Sequence, residues 1–108
     1  MAIVSKMIVE GDMKQLTITK NFDGEPFPSA AHGGKMRVRD EPGALWTFKY
    51  KVKSTNERVL SGHWMQFVQN NSVRVGDTVA IDKNDGWSSE AAEYKVEVIR
   101  RVQNRSDQ

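Results

Sequence analysis

Trp46 to Ile81, WTFKYKVKSTNERVLSGHWMQFVQNNSVRVGDTVAI, sets the fold, because it joins a charged hairpin to a short amphipathic helix and then to another strand. From Trp46 to Val52, Trp46, Phe48, Tyr50 and Val52 alternate with Thr47, Lys49 and Lys51, the period-2 signature of a strand with one apolar and one basic face. Ser54, Thr55 and Asn56 suit a turn, and Arg58, Val59 and Leu60 read as the returning strand. Ser61 is a candidate cap for a helix whose Trp64, Phe67 and Val68 fall at i, i+3 and i+4, with Asn70 and Asn71 as terminators. Val75-Gly76-Asp77 turns the chain into Thr78 to Ile81, where Val79 and Ile81 alternate with Thr78 and Ala80.

Outward from this block the chain continues to read as short strands. Ile3 to Val9 is apolar enough for a first strand, ended by a turn at Glu10-Gly11-Asp12, and Lys14 to Lys20 alternates with Leu16 and Ile18 inward. Asn21 to Gly34 is broken by Gly24, Pro26, Pro28, Gly33 and Gly34 and reads as loop, with at most one helical turn between Asn21 and Glu25. Lys35 to Arg39 puts Met36 and Val38 on one face and three cations on the other. Glu41-Pro42-Gly43-Ala44 predicts a type II turn into the Trp46 strand. Tyr94, Val96 and Val98 form a last strand face, and Ile99 breaks its phase, marking a bulge or the end of pairing. Six or seven strands with one clear helix make a mainly β domain, a small antiparallel barrel. Residues 1–102 form the domain and 103–108 a polar tail that frays.

At 108 residues the chain can bury roughly two-thirds of its unfolded surface without staples. With no cysteine, disulfide frameworks, thiolate metal sites and cysteine nucleophiles are excluded together. No apolar run approaches the roughly 20 residues of a membrane helix, so the expectation is a soluble intracellular protein. Net charge is only +2, but Lys35 to Arg58 holds seven basic residues against three acidic ones, a local excess of four. A basic centre in an otherwise slightly acidic chain is the footprint of a phosphate-contacting surface. Lysines on strands also guard against edge-to-edge aggregation, and charge alone leaves both readings open.

The motifs that carry chemistry are few. His32 and His63 stand apart without partners for a metal, and the carboxylate pairs Glu90/Glu93 and Asp82/Asp85 read as solubilising loop charge. Without a phosphate loop, zinc helix or nucleophile elbow, no enzyme is expected, and no cofactor, metal or small-molecule substrate. Trp46, Phe48, Trp64 and Phe67 lie on inward phases and read as core, with Trp87 as a lid over the barrel mouth.

Trp46-x-Phe48-x-Tyr50, Val59-Leu60, Trp64, Phe67-Val68 and Gly76-Asp77-Thr78-Val79 together resemble the core signature of the plant B3 DNA-binding domain. Ser5 to Met13 resembles that family's opening strand and turn, Leu16 to Lys20 its second element and Phe27-Pro28 its phenylalanine-proline pair, so the likeness covers nearly the whole chain. His63 stands where the family usually has glycine, and Thr19 where it usually has proline. The resemblance implies an open seven-stranded pseudobarrel with one or two short helices, binding double-stranded DNA in the major groove as a transcription factor in the plant nucleus. It also implies two gripping arms. Lys14, Gln15, Thr19, Lys20 and Asn21 fall on one, and Lys51, Lys53, Ser54, Thr55, Asn56 and Arg58 on the other. The alternatives are the DNA-recognition domain of a bacterial restriction-type enzyme and a non-catalytic protein-interaction barrel. Oligomeric state is left open.

Overall fold

The computed structural model describes residues 2–31, 33–84 and 92–101. Seven strands, β1 (Val4–Met7), β2 (Leu16–Thr19), β3 (Lys35–Arg39), β4 (Leu45–Ser54), β5 (Glu57–Gly62), β6 (Thr78–Lys83) and β7 (Tyr94–Ile99), form one sheet in the order β1-β6-β7-β3-β4-β5-β2. The sheet curls into a nearly closed barrel, with β1 and β2 as its two free edges. All pairings are antiparallel except that of β3 with β7, which is parallel over Val38↔Tyr94 and Arg39↔Lys95. That pairing joins strands more than fifty residues apart. No hairpin signal in the sequence could announce it.

Inward residues of the strands meet α2 (Trp64–Asn70), which lies against β4 and β5. Trp64, Phe67 and Phe48 are fully buried and meet at ring distances of 5.4 to 5.7 Å. Trp64 Nε1 donates to the Asp12 carbonyl at 2.6 Å, so the indole's one polar atom is satisfied in the core. Trp46 is only half-buried; its ring packs edge-on against Phe67 while Nε1 donates to Asp40 Oδ2 at 2.8 Å.

Several local expectations shift. Ser61 does not cap α2: it is laddered in β5 opposite Lys49, and His63 takes the cap position with no side-chain bond. Gly62 makes the corner between strand and helix at φ 72, where an added Cβ would stand 2.9 Å from the Thr47 carbonyl. The helical turn expected at Asn21–Glu25 lies instead at α1 (Pro28–Ala31), with proline at its first position, where a missing N–H costs nothing. The turn at Glu10 is a 3-10 segment, Glu10–Met13. The β3–β4 turn closes one residue early, with Gly43 N–H donating to the Asp40 carbonyl, and Gly43 itself adopts φ 106. Val52 continues β4 past the core and is half exposed, while of the two outcomes expected at Ile99 the phase break marks the end of pairing, opposite Thr78. His32, Asp85, Trp87, Glu90 and the tail 103–108 lie outside the described residues.

Candidate nucleic-acid interface

β2 is paired to β5, which is paired to β4, so both expected arms stand on one wall of the barrel. The ladder runs Leu16↔Leu60, Thr17↔Val59, Ile18↔Arg58 and Thr19↔Glu57, and the Lys20 amide continues it by donating to the Asn56 carbonyl at 3.1 Å. Lys20 and Asn21 therefore meet Ser54, Thr55 and Asn56 at the tip of the β4–β5 hairpin, and all five are exposed. Lys53 is the extra residue of a bulge: Val52 pairs with Arg58 and Ser54 with Glu57, leaving Lys53 unpaired between them. Ser54 Oγ donates to Asn56 Oδ1 at 3.0 Å across the tip.

Lys14 and Gln15 are exposed too, but they sit at the other end of β2, where the 3-10 segment enters it. The four residues of β2, at ~3.3 Å each, put a strand length of roughly 13 Å between them and Lys20. The candidates thus fall into two clusters with a strand-wide surface between them. A B-form major groove is about 12 Å wide, comparable with the length of this strand.

On that intervening wall, Lys51 stands outward from β4 beside Lys49, and Lys49 is directly opposite Lys35 of β3. Like charges in facing positions destabilise a sheet, so Lys35–Lys49 is a pair that a polyanion relieves. The local charge excess had registered both lysines, but only the register places them against each other.

Arg58 does not stand on the hairpin surface as expected of a base-reading residue; it is 5% exposed and turned into the barrel mouth. Its position explains this, for Arg58 precedes Leu60 by two and so shares Leu60's inward phase. The guanidinium meets Glu25 fork to fork, Nε to Oε1 at 3.1 Å and Nη2 to Oε2 at 3.2 Å. Nε also donates to the Tyr50 hydroxyl at 3.0 Å, and Nη1 to the Ser54 and Glu57 carbonyls at 2.6 and 3.3 Å. Below it the Phe22 ring lies 4.4 Å from the guanidinium carbon, and Tyr50 OH donates to Glu25 Oε1. Hydrogen bonds from Tyr50 and then Arg58 hold the Glu25 carboxyl below its ordinary value. Burial, reinforced by Glu25, pushes the Tyr50 hydroxyl up to about 12. Burial alone would weaken the charge on Arg58, but the bonds to Glu25 and Tyr50 outweigh it and raise its pKa. Glu25 and Phe22 were missed because nothing local in a loop marks a partner 33 residues away.

Among the described residues no group of three or more His, Asp or Glu side chains is placed to hold a metal ion, and no helix is long and apolar enough to cross a membrane. The family model of the B3 DNA binding domain matches residues 4–102. The chain is 28% identical over 82 residues to the AP2/ERF and B3 domain-containing transcription factor RAV1 of Arabidopsis thaliana, covering 70% of this chain and 24% of the relative. It is 32% identical over 60 residues to the AP2/ERF and B3 domain-containing transcription repressor TEM1 of the same plant, covering 55% and 17%. The matched chain thus spans about a quarter or less of the length of these relatives. Its fold is similar to that of the protein in an Arabidopsis FUS3–DNA complex, with a TM-score of 0.64 at 18% identity over 94% of this chain and 100% of that one. A seven-stranded barrel with one capping helix, and a family match running from its first strand to beyond its last, place this chain in the B3 DNA-binding domain family.

Proposed function

We propose that this chain binds double-stranded DNA sequence-specifically through the major groove, as the DNA-reading part of a plant transcription factor acting in the nucleus. The observation that carries the reading is the wall β2–β5–β4: two exposed polar and basic clusters, one at each end, with the facing Lys35–Lys49 pair beside them. Lys14, Lys20, Lys51 and Lys53 supply phosphate contacts and set register; Gln15, Thr19, Asn21, Ser54, Thr55 and Asn56 supply donors and acceptors for base edges. Arg58 leaves the group of base readers, because it is buried and its Nε, Nη1 and Nη2 are already engaged with Glu25, Tyr50 and two carbonyls. The role is non-catalytic.

Selection from a random duplex library, followed by fluorescence titration of the selected and a scrambled duplex at several salt concentrations, tests this. A tighter Kd on the selected duplex, falling with salt on both, is the expected result. No binding to any duplex at low salt overturns it and leaves the protein-interaction barrel.

A further inference from the structure

The hairpin tip is held from underneath by the loop between β2 and α1, which is tied to the sheet mainly through side chains. Arg58 grips the Ser54 and Glu57 carbonyls, the two residues that flank Thr55 and Asn56, and is itself anchored to Glu25 in the loop between β2 and α1. The same loop begins with Lys20 and Asn21, and the Lys20 amide is tied to the Asn56 carbonyl. Phe22 closes the ring, its aromatic ring lying 5.5 Å from Lys20 Nζ and 4.4 Å from the Arg58 guanidinium carbon. The bulge at Lys53 makes the tip depend on this support, since a bulged, two-stranded end has lost ladder bonds that would fix it otherwise.

From this geometry we infer that Glu25 and Arg58 form a clasp that fixes the base-reading tip, making them positioning residues for sequence discrimination although neither is placed to touch a base. The inference rests on the DNA-binding reading above and deepens it. Groups that read base edges must be held within about half an ångström of their productive place, whereas a phosphate contact through a long lysine tolerates much more. Loosening the tip therefore erodes discrimination and spares general affinity.

Electrostatics alone makes the opposite forecast, which is what makes the idea testable. Removing Glu25 takes a negative charge from beside the interface and tightens binding to every duplex equally. In the clasp, Glu25→Ala also frees Arg58, so the ratio of selected to scrambled affinity falls by about tenfold, the worth of one lost base contact. Glu25→Gln removes the same charge but keeps an amide oxygen for Arg58 and Tyr50, and most of the discrimination survives.

The experiment measures both duplexes with parent, Glu25→Ala and Glu25→Gln, each checked for a parent-like melt, together with amide hydrogen exchange at Lys20. A fall in the ratio for the alanine variant, largely rescued by glutamine, with faster Lys20 exchange in the alanine variant, supports the clasp. An unchanged ratio in Glu25→Ala, or equal losses in the two variants, overturns it. A parent that binds no duplex refutes the DNA-binding reading and the discrimination role with it; the exchange arm is read separately, and unchanged Lys20 exchange removes the clasp itself.

Discussion

At the α2 end of the barrel, carboxylates hold backbone amides; at the hairpin end, a guanidinium holds backbone carbonyls. Asp12 accepts from the Val9 and Thr17 amides and from Lys6 Nζ, bridging the gap between edge strands β1 and β2. Asp40 accepts from the Gly43 and Ala44 amides, Trp46 Nε1 and Asn71 Nδ2, tying the β3–β4 turn to the end of α2. Asp77 accepts from the Arg74 and Arg101 amides and Arg100 Nη1, fastening the chain before β6 to the chain after β7. All three are at most 5% exposed, whereas the Glu25 side chain is 34% exposed. One end is sealed by anions buried in the fold, and of the candidate contacts only Lys14 and Gln15 stand beside it, on its outer surface. The other is held by a cation whose partner stays near solvent, beside a surface proposed to accept phosphate. The difference separates what the fold needs from what a ligand needs, and substitutions at the two ends should have different signatures.

The largest effect belongs to the sealed end. Trp64→Ala removes the centre of the aromatic cluster and the donor to the Asp12 carbonyl, and should cost about 3–5 kcal/mol, read from denaturant melts. A loss below 1 kcal/mol would mean that α2 is not what closes this end. Next comes the corner below it. Gly62→Ala asks a Cβ to enter a positive φ and approach the Thr47 carbonyl at 2.9 Å, which should cost about 1–3 kcal/mol with m unchanged. Gly43→Ala, also at positive φ but with open space around it, is the control for strain without collision.

Acid provides a third probe. Burial opposes ionisation of Asp40 and Asp77, but the bonds from Trp46 and Ala44 to the first, and from the Arg101 and Arg74 amides to the second, outweigh it and lower both pKa values. A carboxyl with a lowered folded pKa adds stability that is fully present above its unfolded value, near 3.8, and disappears as pH falls through the lower folded value. Stability should hold flat down to about pH 5 and fall steeply below pH 4. Asp77→Asn should flatten that fall while lowering stability at neutral pH. A wild-type stability that is unchanged down to pH 2 would exclude these carboxylates as the seal.

The two ends also differed in how far the sequence announced them. The sealed end was legible because its signals are local: Trp64, Phe67 and Val68 recur at helical spacing, Val79 and Ile81 alternate, and the turn read at Val75-Gly76-Asp77 is there, with Gly76 at φ 99. What stayed hidden there is the β3–β7 pairing, whose strands lie far apart in sequence, and the three aspartates, which read as ordinary polar residues until the fold aims nearby amides at them. At the hairpin end composition misled. A lone arginine between Glu57 and Val59 looks like surface charge, and only strand parity, counted back from Leu60, points it inward. Parity was available in the sequence; Glu25 as its partner was not, because loops carry no period.

The smallest effect on the fold belongs to the exposed tip and should be the most informative about function. Asn56 and Lys51 are both exposed, so Asn56→Ala and Lys51→Ala should melt like the parent. Their binding should part company. An asparagine side chain can pair with an adenine edge, so Asn56→Ala should lose about 1–3 kcal/mol on the selected duplex and much less on a scrambled one. A lysine beside a phosphate is indifferent to sequence, so Lys51→Ala should weaken both duplexes alike and reduce the slope of log K against log salt by about one unit. If Lys51→Ala instead changes the preference and leaves the slope alone, the roles along the hairpin are exchanged and Lys51 reads bases. If both variants lose equally on both duplexes, the tip is an electrostatic patch, and the base-reading groups must be sought at Lys14 and Gln15, at the other end of β2.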